Sequence, residues 1–88
     1  MFRVFWHPDA LSDLARVWTD ADDSERQAIT AAAREVDRLL TNSPETVGES
    51  REGTERITFV DQLGLVYDVY AQHRLVRIDQ VWHLRRHR

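Results

Sequence analysis

The sequence contains no cysteine, no lysine, only two prolines and only three glycines among its 88 residues. The first absence excludes a disulfide scaffold and a thiol nucleophile, and it suits a reducing compartment. No apolar run approaches the roughly 20 residues that cross a bilayer, and the first residues lack a signal-peptide pattern. A soluble cytoplasmic protein without membrane association is therefore expected. The four histidines are scattered, with no two at a ligand spacing within a helix, so neither a metal nor another cofactor is expected. There is also no glycine-rich phosphate loop and no nucleophile elbow. Eighty-eight residues leave room for one core, so residues 1–88 are read as a single domain with a thin stability margin.

With lysine absent, all twelve basic residues are arginine. Arginine stays protonated, forks onto phosphate and stacks on bases, but it carries protons poorly at neutral pH. Exclusive arginine usage is also what a GC-rich genome produces. The net charge of −3 argues against indiscriminate nucleic-acid binding, yet it hides an asymmetry. Residues 1–50 hold ten acids and five arginines, a balance of −5, whereas residues 51–88 hold five acids and seven arginines, a balance of +2.

Phe2-Arg3-Val4-Phe5-Trp6-His7 alternates as a strand, with Phe2, Val4 and Trp6 on one face and Phe5 on the other, which predicts cover on both sides. Pro8 ends that strand and suits the first turn of a helix. The helix is predicted from Pro8 to Trp18 or Thr19, with Leu11, Leu14, Ala15 and Trp18 as its buried stripe. Asp22 and Glu25 then stand at the spacing of a capping box, with Ser24 as a competing cap. Ile29, Ala32, Ala33, Val36, Leu39 and Leu40 hold helical period to about Thr41. So short a link makes the two helices an antiparallel hairpin.

Asn42-Ser43-Pro44 terminates the second helix, and residues 43–54 are predicted as the long loop. Glu55–Val60 follows as a strand with Ile57 and Phe59 inward, joined through Asp61-Gln62-Leu63-Gly64 to a hairpin. That hairpin pairs Leu65–Tyr70 with Leu75–Trp82 around the polar Ala71–Arg74 turn. Val76 and Ile78 align in its second strand, but Val81 falls one step out of register, which predicts a β-bulge or a strong twist near Asp79-Gln80. The order β-α-α-β-β-β predicts an α+β fold, an antiparallel helix hairpin packed on one face of a mainly antiparallel four-stranded sheet.

That order, together with several motifs, resembles the RelE/ParE toxin superfamily of bacterial type II toxin–antitoxin modules. The motifs are Val4-x-Trp6-x-Pro8-x-Ala10-x-x-x-Leu14, Pro44 and Gly48 ahead of Arg51-x-x-x-x-Arg56, and Leu65-Val66-Tyr67-Asp68-Val69. They continue with Val76-x-Ile78-x-x-Val81 and end at His83-x-Arg85-Arg86. The resemblance implies a toxin held silent by a cognate antitoxin protein. It also implies one of two targets: mRNA on the ribosome, cut without metal, or DNA gyrase, inhibited without catalysis. A degenerate, non-toxic member has the same pattern. In the cleaving branch, basic residues on the middle strands act with a His or Tyr near the end of the last strand. Arg56 matches one basic position, whereas the others fall on Thr58 and on Gly64 or Leu65. His83 matches the histidine, and the terminal tyrosine has no counterpart.

RNA cleavage through its own 2′-OH needs a base, an acid and a cation for the developing phosphorane charge. His83, Arg56 and Arg85 are the candidates for that set. Arg51, Arg77, Arg86 and Tyr67 are the candidates for holding phosphate or a protein partner. The plainer readings make His83 a strand-end residue or antitoxin contact and the basic tail a solvated terminus. Trp6, Trp18 and Trp82 are read as core or interface aromatics rather than as stacking platforms.

Overall fold

A computed structural model describes residues 1–84. In chain order its elements are β1 (Arg3–Trp6), α1 (Pro8–Thr19), α2 (Asp23–Asn42), α3 (Pro44–Val47), β2 (Glu49–Ser50), β3 (Glu55–Val60), β4 (Leu63–Tyr70) and β5 (Leu75–His83). The α+β class and the helix hairpin stand as expected. The sheet has five strands rather than four, in the order β1-β5-β4-β3-β2, with β1 parallel to β5 and the other neighbours antiparallel. The extra strand comes from the stretch expected to be a loop, where Pro44 starts one helical turn and Glu49–Ser50 then pairs with Ile57 and Arg56.

Local chemistry sets the helix ends. Asp22 accepts from the Glu25 N–H at 2.8 Å, and the Glu25 carboxylate accepts from the Asp22 N–H at 3.1 Å, a reciprocal cap that opens α2. Asp20 closes α1 through its N–H to Arg16 O. The α2 stripe of Ile29, Ala32, Val36 and Leu40 is buried against the sheet residues Leu63, Leu65, Tyr67, Val76 and Ile78.

Three expected burial patterns turn out rotated. Register pairs Thr58 with Leu65 and Val60 with Leu63, so Thr58 and Val60 face the helices while Phe59 is 57% exposed on the other side. The partner strand sets the face: Leu63 and Leu65 are fully buried, and the two-residue Asp61-Gln62 turn, with Asp61 left-handed at φ 52°, puts Val60 and Thr58 opposite them. Phe5 is likewise exposed, because β1 carries no layer on its second face. In α1 the buried or partly buried residues are Ala10, Leu14 and Val17, whereas Leu11 and Trp18 are 51% and 43% exposed. The predicted bulge is present. Tyr67 pairs with Ile78 and Val66 with Gln80, leaving Asp79 as the extra residue.

Candidate functional site

The residues singled out by sequence do not converge. Arg56 stands in register with Tyr67 and Ile78, whereas His83 stands beside Leu63. Four residues along β4 separate those rows by about 13 Å, and β3 and β5 lie on either side of β4. Arg56 donates through Nη2 to Gly48 O at 2.5 Å, and Tyr67, fully buried, donates its hydroxyl to Pro44 O at 2.9 Å. These two side chains clamp the Pro44–Ser50 segment onto the sheet. A Cβ at Gly48 would sit 2.3 Å from Ile57 O and 2.9 Å from the Tyr67 hydroxyl, so only glycine lets the segment lie this close.

Burial pushes the Tyr67 phenol above its ordinary range, while the neighbouring Arg56 pulls the other way. Tyr67 therefore has no free hydroxyl for phosphate or a partner. His83 reaches Gln62 Oε1 at 3.0 Å through Nε2. Arg51 lies on the exposed rim, 3.7 Å from Glu55. Arg85 and Arg86 lie outside the described residues.

Arg77 is on the sheet face opposite the helices, in register with Asp68. Its Nη2 is 3.1 Å from Asp68, its Nε is 2.5 Å from Asp79 on the bulge, and its guanidinium lies over the Tyr70 ring at 5.7 Å. Thr54 donates to the other Asp68 oxygen at 2.6 Å. Arg77 is thus an internal bridge rather than a free phosphate clamp. The sequence reading missed Asp68 and Asp79, although the signal was available. Counting back from the turn, Tyr70 pairs with Leu75, which sets Asp68 opposite Arg77.

An uncovered apolar surface lies between α1 and α2. There Leu11, Leu14, Ala15, Trp18, Ile29 and Ala33 wall an apolar groove of about 420 Å³. Trp18 also borders a second depression, of about 310 Å³, beside Arg26 and Arg34. Arg26 fixes the indole in place. It donates to Trp18 O at 2.9 Å and to Thr19 O at 3.0 Å, and its guanidinium carbon stands 4.4 Å from the ring centroid. That stacking contributes about 0.5–1 kcal/mol at an exposed site and caps the end of α1 as well. Asp37, at the other end of the groove, accepts from Trp6 Nε1 at 2.8 Å. Arg34 makes no ion pair among the described residues.

This architecture is shared with solved structures. It is similar to a chain of the RelBE2 toxin–antitoxin complex from Mycobacterium tuberculosis, with TM-score 0.73 and 21% identity, covering 93% of this chain and 90% of that one. It is also similar to a chain of the chromosomal ParDE system from P. aeruginosa, with TM-score 0.74 and 14% identity, over 97% and 98%. The chain has the RelE/ParE toxin fold. The isolated E. coli RelE toxin extends the likeness, with TM-score 0.65 and 14% identity over 99% of this chain and 88% of that one. No protein-family model and no curated protein sequence matches. Among the described residues, then, Arg56, Arg77 and His83 make internal hydrogen bonds, Arg51 lies on the rim, and the groove between α1 and α2 leaves apolar surface uncovered.

Proposed function

We propose that this chain is the toxin component of a type II toxin–antitoxin pair, silenced by a cognate antitoxin segment laid in the α1–α2 groove. The observation that carries the reading is the groove itself, an uncovered apolar trough on a RelE/ParE fold with its central indole already held in place. A side chain that needs no further ordering gives binding energy at low entropic cost, and exposed tryptophans of this kind are common interface anchors. The occupant is an amphipathic helix whose apolar face meets Leu11, Trp18 and Ala33. A carboxylate on its flank comes within reach of Arg34. Several of the similar structures are themselves toxin–antitoxin complexes, which supports the same assignment.

Pull-down with the product of the adjacent reading frame tests it. Binding tighter than micromolar is expected, together with growth arrest when the chain is expressed without that partner. Absence of binding at micromolar concentration overturns it. What the toxin acts on, ribosome-bound mRNA or gyrase, is a separate matter. The separation of His83 from Arg56, and the carboxylates on Arg77, favour a toxin that works by binding rather than by cutting RNA with this set. Translating ribosomes carrying mRNA supply the check. Metal-free cleavage that disappears in both His83→Ala and Arg56→Ala would reverse that preference.

A further inference from the structure

The bulge in β5 joins two carboxyl groups to one cation. Arg77 holds Asp68 at 3.1 Å and Asp79 at 2.5 Å, so a single positive charge faces two acids across adjacent strands. Both acids are more than three-quarters covered, with side-chain exposures of 15% and 21%. Two carboxyls that share one guanidinium in a partly dry setting do not both ionise readily, because the charge of one raises the cost of charging the other. Beyond Ile78, β1 no longer flanks β5. The freed Val81 N–H is satisfied instead by Asp13 of α1, at 3.1 Å. The strand end carrying Trp82 and His83 is therefore held by β4 pairing, by Gln62 through His83 and the Leu84 N–H, by Asp13 and by the Asp68–Arg77–Asp79 bridge.

We infer that Asp68, Arg77 and Asp79 form a proton-dependent joint between β4 and β5, closed while the two carboxyls share a proton and loosened when both ionise. The joint sets how firmly the Gln80–His83 end of β5 is held. In the closed form Asp79 keeps the proton and donates it to Asp68, and Arg77 stays hydrogen-bonded to both. In the open form one guanidinium faces two full negative charges, and the bulge carries the repulsion. Burial and the neighbouring Asp68 push the Asp79 carboxyl up to about 6 against the pull of Arg77, while the hydrogen bond from Asp79 lowers Asp68.

The other groups facing the joint are of mixed sign: on β3 Glu55 stands opposite Asp68, and Arg51 lies 3.7 Å from Glu55. A cavity of about 610 Å³ beside Asp79 is lined by Asp9 and Asp13 of α1 and by His7, with Trp82 and Gln80 as neutral walls. Asp13 is 3.6 Å from Arg16, and Asp9 is 3.6 Å from His7. Thr54 donates to Asp68, and Tyr70 offers only its ring to Arg77. The cavity also gives Asp79 a route for proton exchange with water. This inference does not depend on the antitoxin reading.

The test uses the whole chain, following side-chain carboxyl carbons by NMR from pH 4 to 8.5, with amide exchange at Val81 and His83 and the Trp82 indole signal. The wild-type Asp79 carboxyl should titrate near pH 6, with exchange protection at Val81 and His83 falling about tenfold between pH 5 and pH 8 beyond the intrinsic pH effect. In Asp79→Asn, which mimics the protonated acid, that fall should vanish. His7→Gln should retain it, which separates the joint from histidine titration. Titration of both carboxyls near 4, or the same tenfold fall in Asp79→Asn, overturns the inference.

Discussion

The groove between α1 and α2 and the charged cluster at the β5 bulge differ in what each leaves unsatisfied. In the groove, Leu11 and Trp18 keep about half of their surface in water, at 51% and 43%, over a wall that already contains buried Ile29. In the cluster, Arg77 has two carboxylates, Asp68 has Arg77 and Thr54, and the Val81 N–H has Asp13. Fully burying a large apolar side chain stabilises by about 1.5–3 kcal/mol, whereas an exposed ion pair contributes about 0–1 kcal/mol. A partner covering Leu11 and Trp18 thus gains more than one displacing a water from Arg77. Charge marks an interface only when it is free, and in the groove the uncovered surface is mainly apolar.

The sharpest way to break this contrast is to place a charge in the groove. Leu11→Asp combined with Trp18→Ala should weaken antitoxin binding by about 100-fold or more, about 2.7 kcal/mol, measured by calorimetric titration. Both side chains are half-exposed, so the melting temperature should move by only a few degrees. Loss of fold with loss of binding would make them core residues and sink the groove reading. Arg77→Ala is the reciprocal change. It should cost about 2 kcal/mol in urea unfolding, because it leaves two partly buried carboxylates facing each other, while leaving antitoxin affinity within about twofold. A larger loss of affinity would return Arg77 to the partner surface.

Within the cluster, the direction of the Asp79 shift gives a signed prediction. A carboxyl raised in the folded state contributes stability that is fully present below its unfolded value and is lost as pH rises through its folded value, here about 6. Asp79→Asn keeps an acceptor for Arg77 without the charge. It should match wild type near pH 4 and exceed it by about 1 kcal/mol at pH 8, the full linkage being reduced by solvent screening. Unfolding curves at the two pH values decide the matter. Equal stability at both would mean that Asp79 ionises normally.

How much of this was legible depended on how local the determining physics was. The capping box at Asp22 and Glu25, the strand-ending Pro8 and the bulge at Asp79 were readable, because each is set by residues within a few positions of one another. The inward face of β3 was not, since it is set by which β4 residues its own stand opposite, Val60 with Leu63 and Thr58 with Leu65, and not by the apolar alternation within β3. The α1 stripe misled for another reason. Ala10, Leu14 and Val17 form one apolar row and Leu11, Ala15 and Trp18 an adjoining one, so the helix carries more apolar arc than the sheet can cover. Periodicity identifies an apolar face but not which part of it the rest of the chain reaches. His83 and Arg56 were legible as types, yet their separation follows from register across three strands.

The smallest expected effect bears on the chemistry of the groove's occupant. Arg34 stands at the groove wall without an ion pair among the described residues, close to the Trp18 end, where Arg26 is already engaged with backbone carbonyls. An exposed cation of this kind adds little affinity, but it steers association and fixes orientation. Arg34→Glu should therefore weaken antitoxin binding by about fivefold near 0.15 M salt, mainly through a slower on-rate. The deficit should grow severalfold as salt is lowered toward 0.02 M, where screening lengthens. The loss in the Leu11→Asp, Trp18→Ala variant should barely change over the same range, because displacement of water from apolar surface does not depend on screening. Rate measurements at two salt concentrations separate the two contributions. If Arg34→Glu shows no salt dependence, the antitoxin carries no acidic flank and the groove binds by apolar cover alone.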